Sequence, residues 1–182
     1  MADPSSSWFV YDHTVDGLFF KALRERITPP VAAKLKDLGI DLDGKPRSVP
    51  HAQWIQALQV AATLFEGTED ERFRALGRSV LLRYEDTVMG KAVVAVMRLM
   101  GPRRILGRIN TSLRSGNNYI HATLSPIGPT TWEGTINECN GAPQYIVGVI
   151  EQGLIIAGAK EAKIEARDFD GHRAKFVISW SA

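Results

Sequence analysis

The sequence holds a single cysteine, Cys139, in 182 residues. One thiol can form neither an internal disulfide nor a cysteine-cluster zinc site, so packing alone must hold the fold. An excess of either charge is also missing. Lys+Arg 22 against Asp+Glu 20 leaves +2, too little to argue for nucleic acid, and none is expected as a partner. Long apolar runs are absent too: Lys91 and Arg98 bound the strongest and Glu151 interrupts the next, short of the roughly 20 residues of a membrane span. Residues 1–7 are polar and Ser-rich, without the basic flank and apolar run of a secretory signal, which makes a cytoplasmic location the expectation. No repeat is visible. At 45% hydrophobic and 23% charged, the chain reads as one globular domain over residues 1–182.

Catalytic signatures are equally scarce. Gly-x-Ser-x-Gly, His-Glu-x-x-His, Cys-x-x-Cys and Gly-x-Gly-x-x-Gly do not occur, and Gly90-Lys91-Ala92 lacks the leading glycine and the hydroxyl of a phosphate loop. The histidines His13, His51, His121 and His172 show no i,i+4 pairing, so no metal is expected. Cys139 precedes a helix start, where the dipole could lower its pKa; the competing reading is a buried, inert thiol. An enzyme of unrecognised type would have to draw on Cys139, His121, Glu133 and Tyr119. A non-enzymatic protein is the expectation.

What the sequence does contain is a change of period. Residues 1–15 read as an extended segment, 16–101 as a helical half and 104–181 as a sheet half. Leu18, Phe19, Ala22 and Leu23 fall at helical spacing, and Thr28-Pro29-Pro30 opens a second helix that Gly39 ends. A third starts near Pro50 with Trp54, Leu58, Ala61 and Phe65 on one stripe. Thr68 and Glu71 form a capping box for a fourth, through Phe73, Leu76, Val80 and Tyr84. The 88–100 stretch is apolar nearly all round, with Thr87, Lys91 and Arg98 on one narrow stripe, which predicts a helix in the middle of the molecule, ended by Gly101-Pro102.

From Ile105 alternation predicts strands at 105–114, 118–125 and 130–138. A helix follows over 142–158, then strands at 162–168 and 173–180 joined by Asp170-Gly171. The predicted fold class is α+β: about five helices, then an antiparallel sheet of about five strands in the order βββ-α-ββ. One parity of those strands, including Ile109, Ile120, Trp132, Ile136, Ile164, Phe176 and Trp180, is apolar and should be covered by helices. The other, including Arg108, Arg114, Tyr119, His121, Glu133 and Glu165, should face water.

Charge distribution says more than net charge. No acidic residue occurs from Thr87 to Trp132, while Lys91, Arg98, Arg103, Arg104, Arg108 and Arg114 lie there. These arginines either neutralise acidic neighbours such as Glu133 and Glu165, or form a site for an anion or partner, since a guanidinium fork suits carboxylate and phosphate. The candidate ligand- or partner-binding residues from this stretch are therefore Arg103, Arg104, Arg108, Arg114, Tyr119 and His121.

Across nearly the whole chain, Gly77-Arg78, Tyr84, Thr87, Gly90, Gly101-Pro102-Arg103-Arg104, Trp132-Glu133-Gly134, Tyr145, Gly148, Ala157-Gly158-Ala159, Phe176 and Trp180 resemble an uncharacterised paralogous family of myxobacterial proteins. More distantly, the order of helices then sheet is similar to the superfamily of haem nitric-oxide/oxygen-binding, vinyl-reductase-like and trafficking-complex subunit domains. Haem members hold iron through a helical histidine and the propionates through Tyr-x-Ser-x-Arg. Asn110-Thr111-Ser112-Leu113-Arg114 has Asn in place of that Tyr, and no histidine lies between His51 and His121, so haem is set aside and no cofactor is expected. What that resemblance does imply is a pocket between helices and sheet, for which Gly148, Gly153 and Ala157 would give room, so Gly148 joins the candidate binding residues; the competing reading of these small residues is close helix packing. The resulting expectation is a bacterial regulatory or sensory domain that binds a small molecule, an anion among the candidates, or a protein partner. The alternative is a structural module that forms a homodimer.

Overall fold

A computed structural model describes residues 7–82 and 88–181. Tyr84 and Thr87, read above as members of helix stripes, lie outside the described residues, as do 1–6. The N-terminal segment is only briefly extended: β1 (Phe9–Val10) pairs antiparallel with β2 (Val49–Pro50). Helix α1 (Asp12–Val15) then runs directly into a π-helical stretch, Asp16–Ala22, which buries Leu18, Phe19 and Ala22. Helix α2 (Pro29–Asp37) begins on prolines, whose fixed φ suits a first turn, and stops before Gly39 at φ 85°, a left-handed position that costs glycine nothing. Helix α3 (His51–Ala62) buries Trp54, whose ring meets Phe19 edge-on at 5.8 Å. Helix α4 (Glu69–Leu82) has the expected box: the Thr68 N–H donates to Glu71 Oε2 at 2.8 Å, and the Glu71 N–H to Thr68 Oγ1 at 3.4 Å. Such caps contribute about 1 kcal/mol.

Helix α5 (Val88–Gly107) breaks where expected, at Gly101 with φ 73° and ψ 168°, and Pro102 opens its second arm. Its placement is not the expected one. Val94 is buried, but Val96 is 56% and Leu99 88% exposed, so α5 is a surface helix. The central helix is α7 (Pro143–Ile156), in which Tyr145, Ile146, Val147, Gly148, Ile150, Glu151, Gly153 and Leu154 are all buried. An apolar circumference marks a helix fit for burial, but only one element can occupy the centre, and α7 packs against both α4 and the sheet.

The strand expected over 105–114 is instead helical: the end of α5, then α6 (Ile109–Gly116). Ile105, Ile109 and Leu113 are four apart, a spacing that satisfies a strand face and a helix face alike. Gly107 and Thr111, at the same parity, are the positions where the strand pattern fails. The sheet therefore begins later, with β3 (Ala122–Pro126), β4 (Thr131–Ile136), β5 (Lys160–Arg167) and β6 (Ala174–Ser181). All pairings are antiparallel in the order β3-β4-β6-β5, which confirms the α+β class with one strand fewer. Its covered face carries Ala122, Trp132, Ile136, Ile164, Phe176, Ile178 and Trp180, as the alternation predicts. Tyr119 departs from the predicted wet face and is buried. The β5–β6 turn forms at Asp170-Gly171, where Asp170 Oδ1 accepts the N–H groups of His172 and Arg173.

Candidate ligand cavity

Two helices cross almost without side chains between them. Gly77 on α4 faces the Tyr145 carbonyl of α7, and Gly148 on α7 faces the Arg74 carbonyl of α4. Beside this crossing the buried Glu151 carboxylate accepts from Arg74 Nε at 2.9 Å, Arg74 Nη2 at 2.8 Å and Arg78 Nε at 2.7 Å. Burial alone would raise its pKa; the two guanidiniums bring it down to about 2.

A cavity of about 620 Å³ lies between this crossing and the run from α5 to α6. That volume falls within the roughly 300–1,000 Å³ usual for small-molecule and cofactor sites. Val80 and Leu81 of α4 and Ile146, Val149, Ile150 and Gly153 of α7 make one wall; Ala92, Val93, Val96, Met97 and Met100 of α5, then Ile105, Leu106, Ile109 and Leu113, make the other. Its polar lining is sparse. His13, Thr14, Arg108, Ser112, Ser115 and Asn117 contribute it on the N-terminal and α6 side, and Tyr119, Asn140 and Tyr145 deeper in; no Asp or Glu lines the cavity among the described residues. The His13 ring Nε2 lies 2.8 Å from the Ser115 carbonyl oxygen.

The inner polar corner continues into the protein. The Tyr119 hydroxyl donates to Asn140 Oδ1 at 2.8 Å, its ring stacks on Trp8 at 5.3 Å, and His51 tilts against it at 4.5 Å. Burial pushes the Tyr119 and Tyr145 phenols up, so both stay protonated. The Asn140 N–H donates to Glu138 Oε1 at 2.7 Å, and Glu138 Oε2 lies 2.8 Å from His172 Nδ1. His51 Nε2, 3.7 Å from Glu138 Oε1, has no hydrogen-bond partner among the described residues. Burial raises the Glu138 carboxyl, but His51, His172 and the Asn140 amide together hold it below the ordinary carboxylate value.

The residues singled out in the sequence are therefore divided. Arg108 and Tyr119 line the cavity; Arg103, Arg104, Arg114, His121 and Gly148 do not. Arg103 instead donates to the Gly128 and Pro129 carbonyls at 3.3 and 3.2 Å, and Gly148 serves the helix crossing. Among the described residues no carboxylate pairs with Arg103, Arg104, Arg108 or Arg114, so the charge-neutralising reading has no support there. Cys139, His121, Glu133 and Tyr119 do not form one site: Cys139 is buried, with its thiol pushed up to about 12 by burial, whereas His121 is exposed. Sequence reasoning missed Glu138, His13, Met97 and Met100. Glu138 carried one signal, an acid between Ile136 and the turn glycine Gly141 where a strand ends against the core.

This arrangement of helices on a four-stranded antiparallel sheet is shared with solved H-NOX structures. The chain matches a structure described as modulating haem redox potential through protein-induced porphyrin distortion, with TM-score 0.66 and 16% identity, over 94% of this chain and 95% of the other. It matches the Fe(II) unliganded H-NOX protein from K. algicida with TM-score 0.67 and 11% identity, over 94% and 97%. A structure described as giving insight into H-NOX activation matches with TM-score 0.65 and 16% identity, over 93% and 96%. The likeness is one of fold. By sequence, residues 9–181 match the family described as "Protein of unknown function (DUF2378)", and the chain belongs to that family. No curated protein matches it in sequence.

The structural relatives overturn the expectation that no cofactor is involved, because the fold is shared with proteins described by their haem. Residues 110–114 lie within α6, where Asn110 Oδ1 accepts the Ala122 N–H at 3.0 Å and only Ser112 and Leu113 of that stretch reach the cavity. A histidine does line the cavity from a helix, but it is His13, far upstream of the interval searched. The apolar walls suit an apolar group of this size. Among the lining residues His13, Met97 and Met100 are of the types that ligate haem iron, although His13 Nε2 faces the Ser115 carbonyl oxygen and would have to leave it to do so.

Proposed function

We propose that the chain works as one ligand-binding sensory domain, its ligand a small, largely apolar molecule held between the α4–α7 crossing and the α5–α6 run. Haem is the first ligand to test. The observation that carries this reading is the apolar cavity of about 620 Å³ in this fold, with no acidic residue on its described lining. Arg108 and Tyr119 are its proposed polar contacts, and His13, Met97 and Met100 the residues that would hold an iron porphyrin. Bound haem would supply an iron centre for redox or diatomic-gas chemistry. Signalling would follow from a shift in population between ligand-free and ligand-filled arrangements.

No described helix is long and apolar enough to cross a membrane. A cytoplasmic site of action and kinship with the myxobacterial paralogues belong to the same proposal. A second reading, self-association, rests on the exposed Leu82, Val96, Leu99 and Ile155. A monomer at every concentration in sedimentation would remove it.

The test is purification from cells supplied with haem precursor, followed by absorbance and native mass spectrometry, then titration with haem and with Nile red. A Soret band, a retained apolar mass or saturable Nile red binding is expected. A protein that takes up none of them overturns the reading.

A further inference from the structure

We propose that the cavity takes an amphiphile with a carboxylate on an apolar body, and that Arg108 is the residue that selects for the carboxylate. This rests on the cavity reading above and adds the chemical class of the ligand. Arg108 is the only arginine among the described lining residues, and no acidic residue accompanies it there. It is exposed, and among the described residues its side chain has neither a carboxylate partner nor a hydrogen bond. Its nearest basic neighbours in sequence do not compete for the role: Arg103 is spent on the Gly128 and Pro129 carbonyls, and Arg104 lies off the lining.

A neutral apolar ligand would need no such residue, and a cationic one would be repelled. A carboxylate gains a charge-assisted, potentially two-pronged hydrogen bond while its apolar body fills the space between α7 and α5. Ser112, one helical turn on in α6, adds a hydroxyl on the same side.

Fatty acids and porphyrins with propionate groups share this chemistry, so the experiment pairs each with an uncharged counterpart. Oleate is compared with oleyl alcohol, and protoporphyrin IX with its dimethyl ester, by titration at low and high salt into wild type, Arg108→Gln, Arg108→Lys and the off-lining control Arg104→Gln. In wild type and Arg104→Gln the acid should bind about tenfold more tightly than its counterpart, with the margin narrowing in salt. In Arg108→Gln the margin should vanish, and Arg108→Lys should restore part of it. Circular dichroism reports whether each variant is folded; Arg108→Lys carries the test if Arg108→Gln is not. The acid pair that shows the margin identifies the source. Counterparts that bind as tightly as the acids in wild type, or a margin that survives Arg108→Gln, overturn this inference and leave the cavity reading standing. Failure of all four ligands to bind overturns this inference, and the cavity reading falls with it only if haem and Nile red are refused as well.

Discussion

Gly77 and Tyr145 meet backbone to backbone: a β-carbon on Gly77 would lie 2.0 Å from the Tyr145 carbonyl oxygen. Gly148 repeats the relationship from the other helix, with the Arg74 carbonyl oxygen 2.1 Å from a β-carbon. The neighbours are main chain and cannot swing aside. Gly77→Ala and Gly148→Ala should each therefore cost about 3 kcal/mol or more. Gly153→Ala is the control, since its nearest contacts are side-chain tips, Leu81 Cδ1 at 3.7 Å and Met97 Cε at 3.8 Å. It should be neutral or stabilising by up to about 1 kcal/mol through helix propensity. Urea unfolding of the three variants distinguishes these outcomes.

Glu151 should govern stability in acid. Its carboxyl ionises at about 2 in the folded protein, against an ordinary 4.5, so its contribution is complete above 4.5 and is lost as pH falls towards 2. Glu151→Gln should cost about 1–3 kcal/mol at neutral pH, the value of hydrogen bonds to a charged group. It should also flatten the stability profile between those two pH values. Thermal melts from pH 2 to 7 check both effects, and an unchanged acid limb would contradict the assignment.

The Glu138–His172 contact imposes a second pH dependence. His172 is raised above 6.5 by its hydrogen bond with Glu138, so that share of stability is present below 6.5 and is lost as pH rises through the folded value. Glu138 has the opposite sign: its share is present above 4.5 and is lost as pH falls through its lowered value. The contact is therefore strongest between the two limits. In His172→Gln the decline in melting temperature on the alkaline side should disappear, and nuclear magnetic resonance titration of the His172 ring should give a pKa above 6.5.

Leu99 should be expendable. It is 88% exposed on α5, so Leu99→Gln should change stability by no more than about 0.5 kcal/mol, whereas Val94→Ala, at a buried position on the same helix, should cost about 1–2 kcal/mol. Equal losses at the two positions would place Leu99 in a core.

The outline of the fold was legible where one residue type has one physical use. Gly39, Thr68 with Glu71, Gly101-Pro102 and Asp170-Gly171 all punctuate the chain where the sequence says they should. It was illegible where two periods coincide, as at Ile105, Ile109 and Leu113, or where two apolar helices, α5 and α7, compete for one centre. The cavity was half legible. Arg108 and Tyr119 were singled out from an acid-free stretch, but the polar corner depends on Asn140, which accepts the Tyr119 hydroxyl, and on Glu138, which accepts the Asn140 N–H, at a chain reversal through the left-handed Asn140 and Gly141. No local pattern encodes that meeting.

The two walls of the cavity are built to different standards. One belongs to helices in close main-chain approach and tied by Glu151 to two arginines; the other is a single run, 92–113, bent at Gly101, with solvent on its far side and only a few buried anchors such as Val94, Leu106 and Ile109. A change in the volume of the contents is borne by the wall with fewer buried contacts to lose. On the proposed function, a guest is expected to displace α5 while α4 and α7 stay still, and amide hydrogen exchange with and without ligand, compared between 92–113 and the α4–α7 pair, reads that difference.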